Sequence, residues 1–379
     1  MRHLRQRWTK IIGLMSIGFA IALLGWNQIA VARAGFPVPQ NGQAYFGVQL
    51  DWSSDTVDAY AARLGHTPAI VGRYVNFPLS SSDDQAVNLE VQTLAAHHEM
   101  LMLTLEPWPG LTAINAANLK SLTKRLKAWN SLGVPVLVRF AHEMNGSWYP
   151  WAQQPGRYVS TFRQVANAVH QAPSSAMLWS PNDGGGYPFA GGPYEAKPGT
   201  ADFAALDTNH DGQLTMSDDP FTPYYPGDSY VDWVGLSLYH FGSTYPWGAN
   251  VVPASDKFVG KLTGTYQTSY IDETAIPNFY DLFARRHNKP MAISETSALY
   301  NASRSDGASN LDIKSAWWQQ LFDPSLAATY PQLKMIVWFE YQKQEQDTGT
   351  ALIDWRVTAD PTIDAAFKAA LPSRLIYAH

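Results

Sequence analysis

The 379-residue sequence contains no cysteine. Disulfides, thiolate nucleophiles, zinc–thiolate sites and iron–sulfur clusters are therefore excluded within this chain. Charged residues are also scarce, at 16%, and the net charge of -5 offers no basic surface for a phosphate backbone. We expect no nucleic-acid partner. Hydrophobic residues, at 46%, and aromatic residues, at 13%, are in turn plentiful enough for a large core.

The N-terminus has the pattern of a secretory leader. Four Lys and Arg residues lie within the first ten positions and precede an apolar run over residues 11–24, and Ala32-Arg33-Ala34 offers small residues for cleavage. The pattern predicts a signal peptide over residues 1–34 and an exported protein, either secreted or in the cell envelope. An uncleaved N-terminal anchor is the alternative. No later run is long and apolar enough to span a bilayer, so we expect no other membrane contact.

Short apolar runs rich in Val, Ile and aromatic residues alternate with segments of helical periodicity, which is typical of repeated βα units. Strands are predicted over Ala44–Gln49, Ala69–Tyr74, Met100–Leu105, Val134–Phe140, Ala176–Ser180, Trp233–Leu238, Pro290–Ser294 and Met335–Trp338. Helices are predicted over Asp55–Leu64, Asp84–His97, Ala116–Leu132, Tyr158–His170, Ile276–Arg286, Asp312–Phe322 and Thr362–Leu371. The eight strands, with helices between them, predict one (β/α)₈ TIM barrel, with an elaborated loop over residues 182–230 after the fifth strand.

A doubly wound open sheet is the main competing fold. That fold class commonly carries a Gly-x-Gly-x-x-Gly motif after its first strand, and the sequence has none there. The one glycine cluster, over residues 184–186, opens no predicted helix. The barrel is therefore favoured, and no nucleotide or other organic cofactor is expected.

Two glutamates stand at the carboxyl ends of predicted strands, where barrels of this type place their reacting groups. Glu143 follows the fourth strand and Glu295 follows the seventh. Cleavage of a glycosidic bond with retention needs one carboxylic acid to protonate the leaving oxygen and one carboxylate to attack the anomeric carbon. The pair indicates this chemistry, although either residue taken alone is more often a solvated loop charge or a partner for a neighbouring Arg.

The residues around both glutamates resemble glycoside hydrolase family 26. Residues 139–146, Arg-Phe-Ala-His-Glu-Met-Asn-Gly, resemble its acid/base signature, residues 293–296 its nucleophile strand, and residues 231–239 its sixth strand. The resemblance implies that Glu143 is the proton donor, that Glu295 is the nucleophile and that Tyr239 orients Glu295. A hydrogen bond from Tyr239 favours an ionised Glu295, whereas a neighbouring carboxylate keeps Glu143 protonated. Residues 35–379 would then form a single catalytic domain.

The same resemblance suggests residues that contact sugar. Aromatic side chains stack on the apolar faces of pyranose rings. The predicted substrate-binding residues are His142, Trp148, Tyr239, Trp338, Glu106 and Trp108, with Trp338 as the floor of the cleavage subsite.

The commonest activity of the family implies an endo-1,4-β-mannanase that acts as a monomer on a polysaccharide. Glu106-Pro107-Trp108 stands where a typical mannanase of the family has a histidine-bearing motif. Mixed-linkage β-1,3-1,4-glucan and β-1,3-xylan therefore remain alternative substrates. A non-catalytic carbohydrate-binding barrel is a more remote alternative, because such a protein would be expected to have lost one of the two glutamates.

An independent motif lies in the loop after the fifth strand, within residues 201–220. Residues 207–218 follow the spacing of a calcium-binding loop, with Gly212 at the sixth position, where the backbone must turn sharply. The predicted ligands are Asp207, Asn209, Asp211, Gln213 through its carbonyl, and Asp218. Pro220 blocks an exiting helix, so a structural Ca²⁺ is predicted rather than a sensor, with a solvated turn as the alternative.

Overall fold

The structure is a computed structural model that describes residues 35–378. The predicted signal peptide lies outside the described residues. Among the helices of this part of the chain, none has the length and apolar character required to cross a membrane.

Parallel strands and helices alternate along the chain. In chain order the elements are β1 (Ala44–Leu50), α1 (Val57–Leu64), β2 (Ile70–Asn76), α2 (Ser81–Ala96), β3 (Met100–Glu106), α3 (Ala116–Ser131), β4 (Val136–Phe140), α4 (Pro155–Val169), β5 (Ser175–Trp179), α5 (Ala201–Leu206), β6 (Trp233–Ser237), α6 (Lys257–Thr263), a π-helix (Tyr280–Arg285), β7 (Met291–Thr296), α7 (Asn310–Phe322), α8 (Leu326–Thr329), β8 (Leu333–Glu340), β9 (Gln342–Glu345), β10 (Ala351–Asp354), α9 (Pro361–Ala370) and β11 (Leu375–Ile376). Single turns of 3₁₀ helix lie at Leu111–Ala113, Thr222–Tyr224 and Gln346–Thr348.

Strands β1 to β8 pair in sequence order, and β8 returns to pair in parallel with β1. The register between these last two strands sets Val48 opposite Trp338. The predicted (β/α)₈ barrel is therefore confirmed. All eight predicted strands form, each with both ends within two residues of the predicted bounds.

Most of the helices begin where a short polar side chain satisfies free backbone N–H groups, whereas α4, α6 and α8 have no side-chain cap. Thr56 caps α1 by accepting from Ala59 N at 3.2 Å, and Asn115 caps α3 in a capping box. Several short elements differ from the expectation, among them α8, β9, β10 and β11, which were not predicted. The predicted helix Ile276–Arg286 forms only a π-helix over its second half, and α6 was not predicted because its seven residues are too few for a periodicity to stand out.

Alternate residues of each strand point to opposite sides of the barrel wall. One set fills the barrel interior with side chains such as Met102, Leu137, Leu178 and Val337, all fully buried. The other set packs against the helices. This alternation decides which residues at the strand ends reach the open mouth of the barrel.

Candidate active site

Glu295, on β7, is held by groups from other strands at the mouth of the barrel. Glu295 is only 6% exposed to solvent. The Tyr239 hydroxyl, just after β6, donates to Oε2 at 2.7 Å. The Arg139 guanidinium, from β4, forms a buried ion pair with Oε1. The carboxylate therefore has a cation on one oxygen and a hydroxyl donor on the other.

These contacts determine the charge of Glu295. Burial by itself would raise the pKa of this carboxyl, because a charged group is poorly solvated in the protein interior. The positive charge of Arg139 and the hydrogen bond from Tyr239 outweigh burial and lower the pKa to about 2. Glu295 is therefore ionised at every pH at which the protein would ordinarily work.

Glu143 follows β4 and is held by neutral donors only. Trp148 Nε1 donates to Oε2 at 3.1 Å, and Asn182 Nδ2 donates to Oε1 at 3.3 Å. Burial and the negative charge of Glu295 raise its pKa, and Arg139 offsets only part of this effect. The structure thus brings together two carboxyl groups whose pKa values are displaced in opposite directions, as predicted from the sequence.

The backbone between β4 and Trp148 takes an unusual course. Ala141 and Glu143 have φ values of 47° and 54°, in the left-handed region that residues other than glycine rarely adopt. At Gly146 a Cβ atom would lie 2.4 Å from the Trp148 ring. The absence of a side chain at residue 146 therefore allows the indole to fold back and reach the Glu143 carboxyl.

The sequence reasoning assigned no role to Arg139, which proves to be the principal counter-charge of the site. Besides the ion pair with Glu295, its Nε donates to Ser180 Oγ at 3.1 Å and its Nη2 donates to Ser237 Oγ at 2.7 Å. The side chain is completely buried. An arginine inside a short apolar strand was the available signal, because a buried charge requires a partner.

His142 lies beside the two carboxyl groups and is neutral. Burial and the positive charge of Arg139 lower the pKa of its imidazole to about 3. Its ring lies 5.0 Å from that of Tyr149, and its Nδ1 has no hydrogen-bond partner among residues 35–378. A buried nitrogen without a partner fits the predicted contact with a sugar hydroxyl, which stays a prediction.

Glu106 supplies a third carboxyl group at the same mouth. Trp108 Nε1 donates to its Oε2 at 3.3 Å, and the Trp108 side chain is 46% exposed. Burial, with smaller contributions from Glu295 and Glu143, raises the pKa of Glu106 to about 7. The predicted contact of Glu106 and Trp108 with substrate stays a prediction.

The prediction that Trp338 floors the cleft is wrong. Its indole is fully buried, donates to Trp355 O at 3.1 Å and packs 5.2 Å from the Phe367 ring of α9. Strand β8 runs two residues beyond the predicted end, so Trp338 points outward to the helices. The next residue, Phe339, points to the mouth instead, where its ring stacks 4.4 Å from that of Tyr341.

A second aromatic group of the mouth, Trp355, was also missed. It follows β10, and its ring centroid lies 5.3 Å from that of Tyr239. The short hairpin of β9 and β10 that leads to it gave no clear strand pattern in the sequence, because its strands have only four residues each.

The predicted calcium loop forms a compact turn in the connection between β5 and β6. Asp207 Oδ1 accepts from Asp211 N at 3.1 Å and its Oδ2 accepts from Gly212 N at 2.9 Å. Gly212 has a φ of 83°, as the predicted sharp turn requires. Asp218 closes the loop by accepting from Thr208 N at 2.8 Å and from Thr215 N at 2.9 Å.

Backbone N–H groups of the loop thus already satisfy part of each carboxylate. Across residues 35–378, no group of three or more His, Cys, Asp or Glu side chains converges on a position for a metal ion. The oxygen atoms of the loop are of the kind that Ca²⁺ prefers as ligands. Calcium binding stays a prediction from the sequence.

Comparison with known proteins supports the relationship that the motif predicts. The sequence model described as glycosyl hydrolase family 26 matches residues 102–183, a stretch that contains Glu106, Arg139 and Glu143. This stretch is therefore similar to glycosyl hydrolase family 26. The match covers β3 to β5, and Glu295 lies outside it.

Two curated proteins are similar to this chain. Endoglucanase H of Acetivibrio thermocellus is 22% identical over 371 residues, which are 95% of this chain and 33% of that protein. The mannan endo-1,4-beta-mannosidase of Bacillus subtilis is 29% identical over 133 residues, which are 32% of this chain and 28% of that protein. The chain spans about a third of the length of the curated relatives that it matches.

Solved structures of the family show the same fold. A modular endo-beta-1,4-mannanase from Cellulomonas fimi superposes with a TM-score of 0.53 at 15% identity, over 89% of this chain and 72% of that one. The two curated relatives carry different activities in their names.

Proposed function

We propose that this chain is an endo-acting, retaining β-glycosidase that hydrolyses β-1,4-mannan-type polysaccharides by double displacement. The observation that carries the proposal is the division of charge between two carboxyl groups at one barrel mouth. Glu295 is held ionised by Arg139 and Tyr239, whereas the pKa of Glu143 is raised. A nucleophile must be charged and a proton donor must be neutral, so this division suits the two roles.

In the first step Glu295 attacks the anomeric carbon and Glu143 gives its proton to the leaving glycosidic oxygen. The carbon–oxygen bond of the polymer breaks, one chain end leaves as an alcohol, and the other end is joined to Glu295 as an ester. Glu143 is then a carboxylate. Its two neutral donors, Trp148 and Asn182, stabilise the charge that it acquires.

In the second step Glu143 removes a proton from water, and the resulting hydroxide attacks the anomeric carbon from the side that the leaving group vacated. The ester bond breaks and Glu295 regains its negative charge beside Arg139. Two displacements at one carbon restore the original β configuration. Tyr239, which donates to Glu295 Oε2, stabilises the negative charge that the carboxylate regains as this bond breaks.

Glu106 bears on the choice of substrate. Its carboxyl group titrates near neutral pH and stands beside the reacting carboxyls. In its neutral form it donates a hydrogen bond, and in its charged form it only accepts. A carboxyl group in this position can discriminate between sugars whose hydroxyl groups differ in direction, so β-1,3-1,4-glucan and β-1,3-xylan are kept as alternative substrates. The similarity to an endoglucanase also favours glucan as the second candidate. The non-catalytic alternative gains no support, since both carboxyl groups are present.

The experiment that tests the proposal compares substrates side by side. Reducing-sugar release by residues 35–379 is measured on galactomannan, glucomannan, lichenan and β-1,3-xylan, with Glu295→Ala as the control. We expect release from the two mannans that the control lacks. Release confined to lichenan or β-1,3-xylan would transfer the proposal to those polymers. No release of reducing sugar from any of the four polymers would favour the non-catalytic barrel.

Two further proposals concern the surroundings of the enzyme. We propose export, on the leader pattern of residues 1–34, and expect a secreted form that begins at Gly35.

We also propose a structural Ca²⁺ held by the oxygens of residues 207–218. If calcium binds, chelation should lower the melting temperature, because removing a ligand of the folded state lowers its stability. A melting temperature that changes with neither added calcium nor added chelator would contradict the calcium site.

A further inference from the structure

The loop after β6 presents two large aromatic side chains at the mouth of the barrel. This loop, residues 242–250, begins three residues after Tyr239. Tyr245 is 77% exposed, and its ring centroid lies 6.0 Å from that of Trp247. Neither ring takes part in the cleavage site described above. Exposed aromatic rings grouped at a cleft indicate a binding surface more often than scattered single ones do.

A series of contacts joins this pair to Glu295. Tyr239, which donates to Glu295, has its ring centroid 6.0 Å from that of Phe241. The next residue, Gly242, lies against Trp247, since a Cβ atom there would be 3.3 Å from the indole. Tyr245 and Trp247 therefore lie on the same side of the mouth as Glu295, beyond Phe241.

Buried amide groups fix the end of the loop. Asn301 Nδ2 donates to Gly248 O at 2.9 Å, and Asn301 N donates to Asn250 Oδ1 at 2.8 Å. Both asparagines are at least nine-tenths buried. A Cβ on Gly248 would lie 3.3 Å from Thr348, in the segment between β9 and β10. The loop is thus tied to the loops after β7 and β8, so the exposed Tyr245 and the partly buried Trp247 stand on a fixed base.

We propose that Tyr245 and Trp247 form a distal subsite that binds a further pyranose ring of the polymer whose bond is cleaved at Glu143 and Glu295. The proposal rests on the proposed function. Residues 242–250 contain no charged side chain, which suits a neutral polysaccharide. An exposed aromatic face offers apolar area to the C–H face of a sugar ring, and the Tyr245 hydroxyl offers a hydrogen bond.

The test compares a long and a short substrate. Tyr245→Ala and Trp247→Ala are assayed on galactomannan and on mannotriose, or on lichenan and cellotriose if lichenan is the polymer that the wild-type protein hydrolyses. We expect kcat/KM on the polymer to fall about tenfold, mainly through KM, because one stacking contact is lost. On the trisaccharide, which does not reach the distal subsite, kcat/KM should stay at the wild-type value.

Tyr270→Ala is the matched control. Tyr270 is also 77% exposed but lies in the loop before the π-helix, and it should leave both substrates unaffected. If Tyr245→Ala and Trp247→Ala hydrolyse the polymer with the same kcat/KM as the wild-type protein, the subsite is overturned and the proposed function stays intact. An equal loss on both substrates would also overturn it, because that result indicates a structural effect. A wild-type protein inactive on every polymer would overturn the proposed function, and the subsite with it.

Discussion

Glu295→Ala should lose turnover of the polymer by more than about 10⁴-fold, the scale reached when an enzyme loses its nucleophile. No other carboxylate among the described residues shares the ion pair with Arg139, so a retaining mechanism has no substitute. The measurement is the initial rate of reducing-sugar release at equal concentrations of folded protein. Glu90→Ala is the control, since it removes a carboxylate that pairs with Arg73 on the outer side of the barrel. Retention of more than a few per cent of the activity by Glu295→Ala would contradict the role of the nucleophile.

Glu143→Ala should separate the two roles. On the polymer the rate should fall about 10²- to 10⁴-fold, the usual contribution of a general acid. An aryl glycoside of an acidic phenol releases a phenolate that needs no proton. The first step, formation of the ester on Glu295, should therefore survive in this variant with that substrate. The second step lacks a base, and the ester on Glu295 should accumulate as a burst of released phenol. The same substrate should give no burst with Glu295→Ala, and a burst there would reverse the assignment.

Arg139→Met should have the largest effect on stability. The change removes the cation from a fully buried pair and leaves Glu295, Ser180 and Ser237 without their donor. Loss of one partner of a buried pair costs about 3–5 kcal/mol in the free energy of unfolding. Denaturant unfolding near neutral pH measures this cost. Arg285→Met, which breaks a surface pair on the π-helix, should leave the unfolding midpoint nearly unchanged.

The pH dependence gives Arg139→Met a second, independent signature. In the wild-type protein the pKa of Glu295 is about 2, below its ordinary value of 4.5, so its charge stabilises the fold above pH 4.5. This contribution is lost as the pH falls from 4.5 towards 2. Without Arg139, burial raises the pKa of Glu295, and activity should fail at an acidic pH that the wild-type protein tolerates. An unchanged acidic limb of the kcat/KM profile would contradict the electrostatic role of Arg139.

The strand pattern was enough to predict the barrel and to place Glu143 and Glu295 at its mouth. Both predictions depend on local features, since apolar runs mark strands and the carboxyl ends of parallel strands meet at one face. The position of Trp338 could not be predicted in the same way. The sequence places Trp338 at the end of β8 but does not show on which side of the barrel wall its side chain lies. Because the side chains of a strand alternate in direction, Phe339 points to the mouth and Trp338 does not.

Contacts between distant segments account for most of what the sequence left out. Arg139 and Glu295 are 156 residues apart, and the contact of Tyr239 with Trp355 joins β6 to the segment after β10. No local pattern carries such pairings. The calcium loop is the opposite case, because the spacing of its residues is a local pattern that the sequence shows directly. Glu106 was noticed as a departure from the family, and only burial beside two other carboxyls explains its raised pKa.

The measurement that tests the central claim most directly is the anomeric configuration of the first product. Proton NMR follows hydrolysis of a soluble β-linked oligosaccharide by the wild-type protein, before the reducing end equilibrates. Double displacement at Glu295 predicts that the β-anomer appears first and that the α-anomer grows in later. An α-anomer formed first would mean a single displacement by water, and would contradict Glu295 as the nucleophile.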